Sequence, residues 1–291
     1  MSIAKLTLLF SALALLLLAF GALIGYLVGS IFLWMSIFLV IALVMNVVSY
    51  YKSDSIAIKM TKTKLIQRKD NPRFYDIVKE TSEKAGIPMP RVGIMPSQVP
   101  NAFATGRDKN HAVVVATSGI LSMLDDDEME AVIGHEISHV THKDIMVTTV
   151  AATMATIISY IGNMVLFSEF FGGMNERNNN SGILLLVAAI LIPIGAMFIQ
   201  LGISRSRESY ADEGSVRLVE KPDELISSLK KISVPINKRP VNSPSPQPGA
   251  YSSLFIVNNF SRHSLVALFS THPPIDARIK NIERVRNELG I

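Results

Sequence analysis

Residues 135 to 139 read His-Glu-Ile-Ser-His. On a helix, His135 and His139 stand four residues apart and stack on one face, close enough to bind one ion. Neutral imidazole suits Zn2+. Glu136 is one residue on, so it points beside the metal rather than at it. From there it can take a proton from metal-bound water and pass it to a leaving amine. That is the chemistry of a metal-dependent peptide hydrolase, and this spacing is its usual signature. The bland alternative is two exposed histidines on a helix face, since a motif with three fixed positions also arises by chance.

A catalytic zinc takes three protein ligands and keeps one position open. An extended motif with Gly at 142 and His at 145 would supply the third locally, but His142 and Ile145 stand there. The chain has no cysteine, which excludes thiolate ligands and disulfides. The stretch "SRSRESYADEG", 204 to 214, offers Glu208 and Asp212 at i and i+4. Glu208 is assigned as the third ligand. Asp212 can accept the second N–H of a ligand histidine and so fix its tautomer. Alone, an exposed Glu/Asp pair among arginines would be the commoner reading. His142 is i+7 from His135, and Glu208 already completes the set. It is therefore read as a surface or helix-end residue, with Asp144 helping to end the helix.

These side chains need elements to hold them. Asp125, Asp126, Asp127 and Glu128 open the helix that carries the histidines, where acids complement the dipole. Upstream, "NPRFYDIVKETSEKAGIP" predicts a helix capped by Asn71, started by Pro72 and ended by Gly86 and Pro88. "RVGIM" (91–95) and "HAVVVA" (111–116) read as strands, with "NAFATG" (101–106) as a short strand between them. Downstream, 204–219, 222–232 and 272–289 read as helices, and the proline-rich 238–251 as a loop.

Long apolar runs set the larger organisation. No Asp, Glu, Lys, Arg or His occurs in the 46 residues from Leu6 to Tyr51. That is too long for one membrane span and right for two, near Leu6 to Leu27 and Ile31 to Tyr50, broken at Gly29-Ser30. A cleaved signal peptide is disfavoured because a second span follows at once. Two further uncharged runs, Ile145 to Ser168 and Ile183 to Ile203, predict a second hairpin joined by the polar 172–182. Buried core helices are the competing reading of these runs. The expected organisation is a membrane hairpin at 1–50, a first protease segment at 51–144, a second hairpin at 145–203 and a second protease segment at 204–291. The fold class is α+β, mostly helical with a small sheet, on four transmembrane helices. Counted along the helices, His139 and Glu208 stand roughly 9 and 7.5 Å from the predicted membrane boundary, so the hairpin brings them to one height. Lys52, Lys59, Lys62, Lys64, Arg68, Lys69 and Arg73 follow the second span against only Asp54 and Asp70. The positive-inside rule puts them in the cytoplasm. Nucleic-acid binding is the lesser reading of such a cluster.

"HEISH" followed by "SRSRESYAD" resembles the M48 metallopeptidases, and "NAFATG" and "THPPIDARI" are similar to two further blocks of that family. Four ordered blocks over essentially the whole chain make the likeness specific. The resemblance implies a zincin-like domain of the gluzincin type and one Zn2+ per subunit. His135, His139 and Glu208 would be its ligands, and Glu136 the catalytic base of a zinc metalloendopeptidase. It implies that "NAFATG" is the edge strand on which an extended substrate lies. Asn101, Ala102, Phe103 and His272 are then candidate contacts to substrate or oxyanion, although "HPP" could simply cap a helix. The implied role is quality control of misfolded or damaged membrane proteins under stress, in the plasma (inner) membrane with the protease domain facing the cytoplasm. Expected partners are membrane-protein substrates and the lipid bilayer, with other membrane proteases as further candidates and nucleic acid excluded. A prenyl-protein processing protease is the first alternative, though four spans are few for a chamber that takes a lipidated tail. A non-catalytic metal-bound scaffold is the second, and Glu136 argues against it.

Overall fold

The charge-free N-terminus forms two long helices in the computed structural model, which describes residues 2–143, 145–155, 157–158, 205–233 and 274–291. Helix α1 (Ser2–Val28) turns at Gly29 into α2 (Ile31–Met60). Gly29 takes φ 84°, a left-handed conformation that glycine adopts without strain. The two helices pack closely along their length. A Cβ on Gly25 would fall 2.5 Å from the Ile31 Cα, and Asn46 Nδ2 donates to the Phe10 carbonyl at 3.3 Å. Both helices are long and apolar enough to cross a membrane. Phe32, Leu33, Val40, Leu43 and Val47 lie exposed on α2, as suits lipid rather than water.

Helix α2 runs ten residues past the predicted end at Tyr50. Those residues include Lys52, Asp54 and Lys59, so this part is a polar helical stalk. It docks on the sheet through Asp54, which pairs with Arg91 at 2.6 Å.

The sheet has four strands in the order β1 (Lys64–Ile66), β2 (Arg91–Met95), β4 (Val113–Thr117), β3 (Ala102–Thr105). β2 and β4 are parallel, while β1 and β3 pair antiparallel at the two edges. β2, β3 and β4 are the strands expected from the sequence. Lys64 to Ile66 stands out in the sequence only as part of a basic stretch, because this strand is largely exposed and has no apolar run to announce it.

Helix α3 (Pro72–Lys84) starts as predicted, with the Asn71 side chain accepting from the Phe74 N–H. The short α4 (Ser118–Met123) leads into α5 (Asp126–Thr141). Asp125 caps α5 in a reciprocal box with Glu128, each side chain accepting from the other's backbone N–H. Next come α6 (Ile145–Ala155), α7 (Arg205–Val219), α8 (Pro222–Ile232) and α9 (Ile275–Leu289). One core joins the parts before and after residues 159–204. Phe74, Val114, Ile133 and Ile137 pack in it with Val216, Leu225 and Ile282.

Helix α6 begins the third uncharged run. Its early turns lie between the sheet and the first hairpin. Ile145 packs with Ala104 and Val140, and Ala152 with Phe103 and Val115. Val147, Val150 and Met154 pack with Leu6, Leu9 and Leu13. Ile145, Val147, Val150, Ala151 and Met154 are at most 1% exposed, so protein surrounds these turns. Contact with protein accounts for their lack of charge as readily as contact with lipid would, and periodicity does not tell the two apart. Residues 159–168 of the third run, the fourth run, the connector 172–182, Asp144, the 238–251 loop and His272 lie outside the described residues.

Candidate metal centre

Two helices cross at small residues to form this site. A Cβ on Gly214 of α7 would sit 2.0 Å from the Ser138 Oγ of α5. One on Gly134 of α5 would sit 2.9 Å from the Ser215 Oγ of α7. Ser215 Oγ donates to the Ala131 carbonyl at 2.6 Å, tying the two backbones together. Such close approach lets short side chains from both helices meet.

His135, His139 and Glu208 meet there. One ligand atom from each lies within 4.8 Å of the others. Glu208 places Oε2 3.7 Å from His135 Nε2 and Oε1 3.6 Å from His139 Nε2. A tetrahedral zinc with bonds of ~2.0–2.1 Å spaces its ligand atoms by about 3.4 Å, so these separations need little adjustment. The imidazoles stand edge to face, 4.8 Å between centroids. His135 and Glu208 are buried and His139 is half-buried. Donors of this type and spacing fit a zinc ion. His142 is outside this cluster: it caps α5, with Nδ1 2.8 Å from the Ser138 carbonyl.

Asp212, one turn after Glu208, is fully buried and lies 2.9 Å from His135 Nδ1. His135 then carries its proton on Nδ1 and turns the Nε2 lone pair toward Glu208. Burial opposes a charged imidazole here and is the largest single influence, but the hydrogen bond to Asp212 together with the charges of Asp212 and Glu136 outweighs it and holds the His135 pKa above its ordinary value. Burial likewise opposes charge on Asp212, yet Arg278 and His135 hold its carboxyl below the usual range.

Glu136 is also buried, beside rather than among the three. Its Oε2 accepts from the Ala104 N–H of β3 at 2.7 Å. Burial pushes its carboxyl up to about 7, against the pull of His135 and with a push from Glu208.

The remaining predicted contacts share the strand of Ala104. Asn101 is buried and tied to β4: its N–H donates to Thr117 Oγ1 and its carbonyl accepts from the Thr117 N–H, both at 2.9 Å. Ala102 packs into the core on the α5 side, whereas Phe103 packs on the other face with Met95, Val115 and Ala152. Its side chain is therefore turned away from Glu136 and its backbone groups are taken up by β4. With Asn101 and Phe103 facing β4, Ala102 and Ala104 direct their backbone groups to the other side, where no further strand lies among the described residues and where the Ala104 N–H meets Glu136. The C-terminal end of this edge is held by α6, where Thr149 Oγ1 accepts from the Gly106 N–H at 3.3 Å.

Arg278 is the residue that sequence reasoning missed. It is 2% exposed and grips Asp212, Nε to Oδ2 at 2.9 Å and Nη2 to Oδ1 at 2.5 Å. A signal was present. Ile275, Ile279, Ile282 and Val285 form one face of a terminal amphipathic helix, and Arg278 falls on that face, where a cation needs a buried partner.

Residues 68–286 match the family described as Peptidase family M48. A relative from Thermococcus kodakarensis, "Protease HtpX homolog", is 43% identical over 270 residues, covering 92% of each chain. Another of the same description, from Campylobacter hominis, is 41% identical over 98% of this chain and 99% of its own. The crystal structure of S. mikatae Ste24p is a distant likeness, with 17% identity and a TM-score of 0.45, covering 96% of this chain and 64% of that one.

Proposed function

Because the chain belongs to peptidase family M48, a metalloprotease family, we propose that it is a zinc endopeptidase anchored in a membrane by α1 and α2. The carrying observation is the convergence of His135, His139 and Glu208 from two helices, with Glu136 buried beside them. His135, His139 and Glu208 would hold the ion. When bound, zinc would polarise the scissile carbonyl and make water acidic enough to attack at neutral pH. Glu136 takes the proton of the attacking water and delivers it to the leaving nitrogen. Asp212 holds the His135 ring in the tautomer that leaves Nε2 free. The substrate lies as an added strand on the open edge of β3, beside Ala102 and Ala104. The bond from the Ala104 N–H to Glu136 Oε2 supports this reading, since a strand added beside Ala104 would run within reach of that carboxylate.

Substrates are proposed to be misfolded or damaged membrane proteins, cleaved at the cytoplasmic face of the plasma (inner) membrane. Two features support this: apolar side chains exposed along α2, and the basic residues that follow Tyr51. Two variants test the chemistry in detergent-solubilised protein. Glu136→Gln should keep zinc and lose cleavage, and undiminished cleavage would refute the mechanism. Glu208→Ala should lose the metal, and full zinc occupancy would refute its role as ligand. Assay of a misfolded membrane protein against a farnesylated peptide tests the substrate class. Preference for the lipidated peptide would overturn it.

A further inference from the structure

Arg278 has no part in the chemistry just described, yet it lies at the heart of the site. It arrives on α9, the last helix of the chain. Taking a guanidinium out of water costs several kcal/mol unless its hydrogen bonds are met. The pairing found is a two-pronged grip on Asp212. The Oδ1 that accepts from Arg278 at 2.5 Å also accepts from His135 Nδ1 at 2.9 Å. Arg278 Nη2 and His135 Nδ1 approach to 3.3 Å. Since Nδ1 carries its proton, that approach is two donors converging on one oxygen and not a bond between them.

We propose that Arg278 is a positioning residue of the metal centre: it locks the Asp212 carboxylate toward His135, and so ties metal affinity to the docking of the C-terminal helix. The proposal rests on the zinc reading above. A carboxylate held by one hydrogen bond can rotate, whereas a forked guanidinium fixes its plane. Charge points the same way. Glu136, Glu208 and Asp212 place three carboxylates in one buried cluster, and the field of Arg278 acts on all three. One guanidinium and one divalent cation bring these groups to neutrality. Without Arg278 the cluster would keep a net negative charge after metal binding. Asp212 would also be free to turn from His135, and the ring would lose its fixed tautomer.

The test is a double-mutant cycle read as zinc affinity, using metal-free full-length protein in detergent titrated with zinc against a competing chelator. Arg278→Met should weaken zinc binding ~10–100-fold, the range for lost partners of ligand histidines. Arg278→Lys should recover part of the loss. In an Asp212→Asn background, Arg278→Met should cost little more, because Arg278 acts through Asp212. Wild-type affinity in Arg278→Met, or equal losses in both backgrounds, would overturn the proposal. If Arg278→Met does not fold, Arg278→Lys completes the cycle with the same expectation of non-additivity. A wild-type protein that binds no zinc would instead refute the zinc reading. Hydrogen exchange gives an independent readout, because coupling is reciprocal. Zinc should slow exchange in α9 of the wild type and do so less in Asp212→Asn. Zinc-independent exchange of α9 would also overturn the coupling.

Discussion

Glu136 holds its place through one backbone N–H, that of Ala104, and is otherwise closed off from water. This has a consequence for the metal-free protein. The folded carboxyl titrates at about 7, against 4.5 for an ordinary glutamate. The folded state therefore binds the proton more tightly than the unfolded state does. The corresponding stability is fully present below pH 4.5 and is lost as pH rises through 7. The difference is roughly 3 kcal/mol in all. Metal-free Glu136→Gln should lack this slope. Above pH 7 it should melt at a higher temperature than the metal-free wild type, with the two converging toward pH 4.5. A constant gap between their melting curves would show that burial does not set the titration of Glu136. The candidate ligands His135 and His139 were legible because an i, i+4 pair of histidines has few structural uses. Glu208 was legible through its i, i+4 partner Asp212 and its matching offset from an uncharged run. Arg278 stayed hidden because its partner lies 66 positions away in sequence, beyond any local pattern.

At the scale of elements, the centre depends on how closely α5 and α7 cross. Gly214→Ala drives a methyl group into Ser138, and helices cannot part locally without disturbing Glu208 one and a half turns earlier. Overpacking of this kind costs about 1–3 kcal/mol. The variant should melt earlier and bind zinc more weakly, and Ser138→Ala in the same chain should restore part of both. Unchanged melting in Gly214→Ala would show that the seam has slack. The helices α3, α5, α7, α8 and α9 were readable from caps, prolines and apolar spacing, β2 and β4 from their apolar runs, and β3 as a short strand between them. The rest was not, for physical reasons. β1 is an exposed edge of three residues with no hydrophobic alternation. The stalk of α2 is polar and so ends the membrane pattern without ending the helix. In α6, burial against Phe103 and Leu9 produces the same charge-free sequence that lipid would, so its surroundings could not be read from composition.

At the scale of the molecule, a metal held between α5 and α7 would link two distant stretches of the chain. Anything that binds only the folded state stabilises it, by ~4 kcal/mol when present at a thousand times its dissociation constant. Chelation should therefore lower the melting temperature of the wild type. It should leave that of Glu208→Ala unchanged, and an equal fall in both would show that the chelator acts elsewhere.

The position of Arg278 gives this linkage a direction in time. The chain leaves the ribosome from its N-terminus, so both hydrophobic helices and the histidine motif are made first. At about 5–20 residues per second, Glu208 follows His139 by several seconds, and Arg278 follows by about 7–28 s. A nascent chain thus carries Glu136 and two histidines for many seconds before Glu208 and Arg278 are made. The groups of the site are made in order, and Arg278 is the last of them to join.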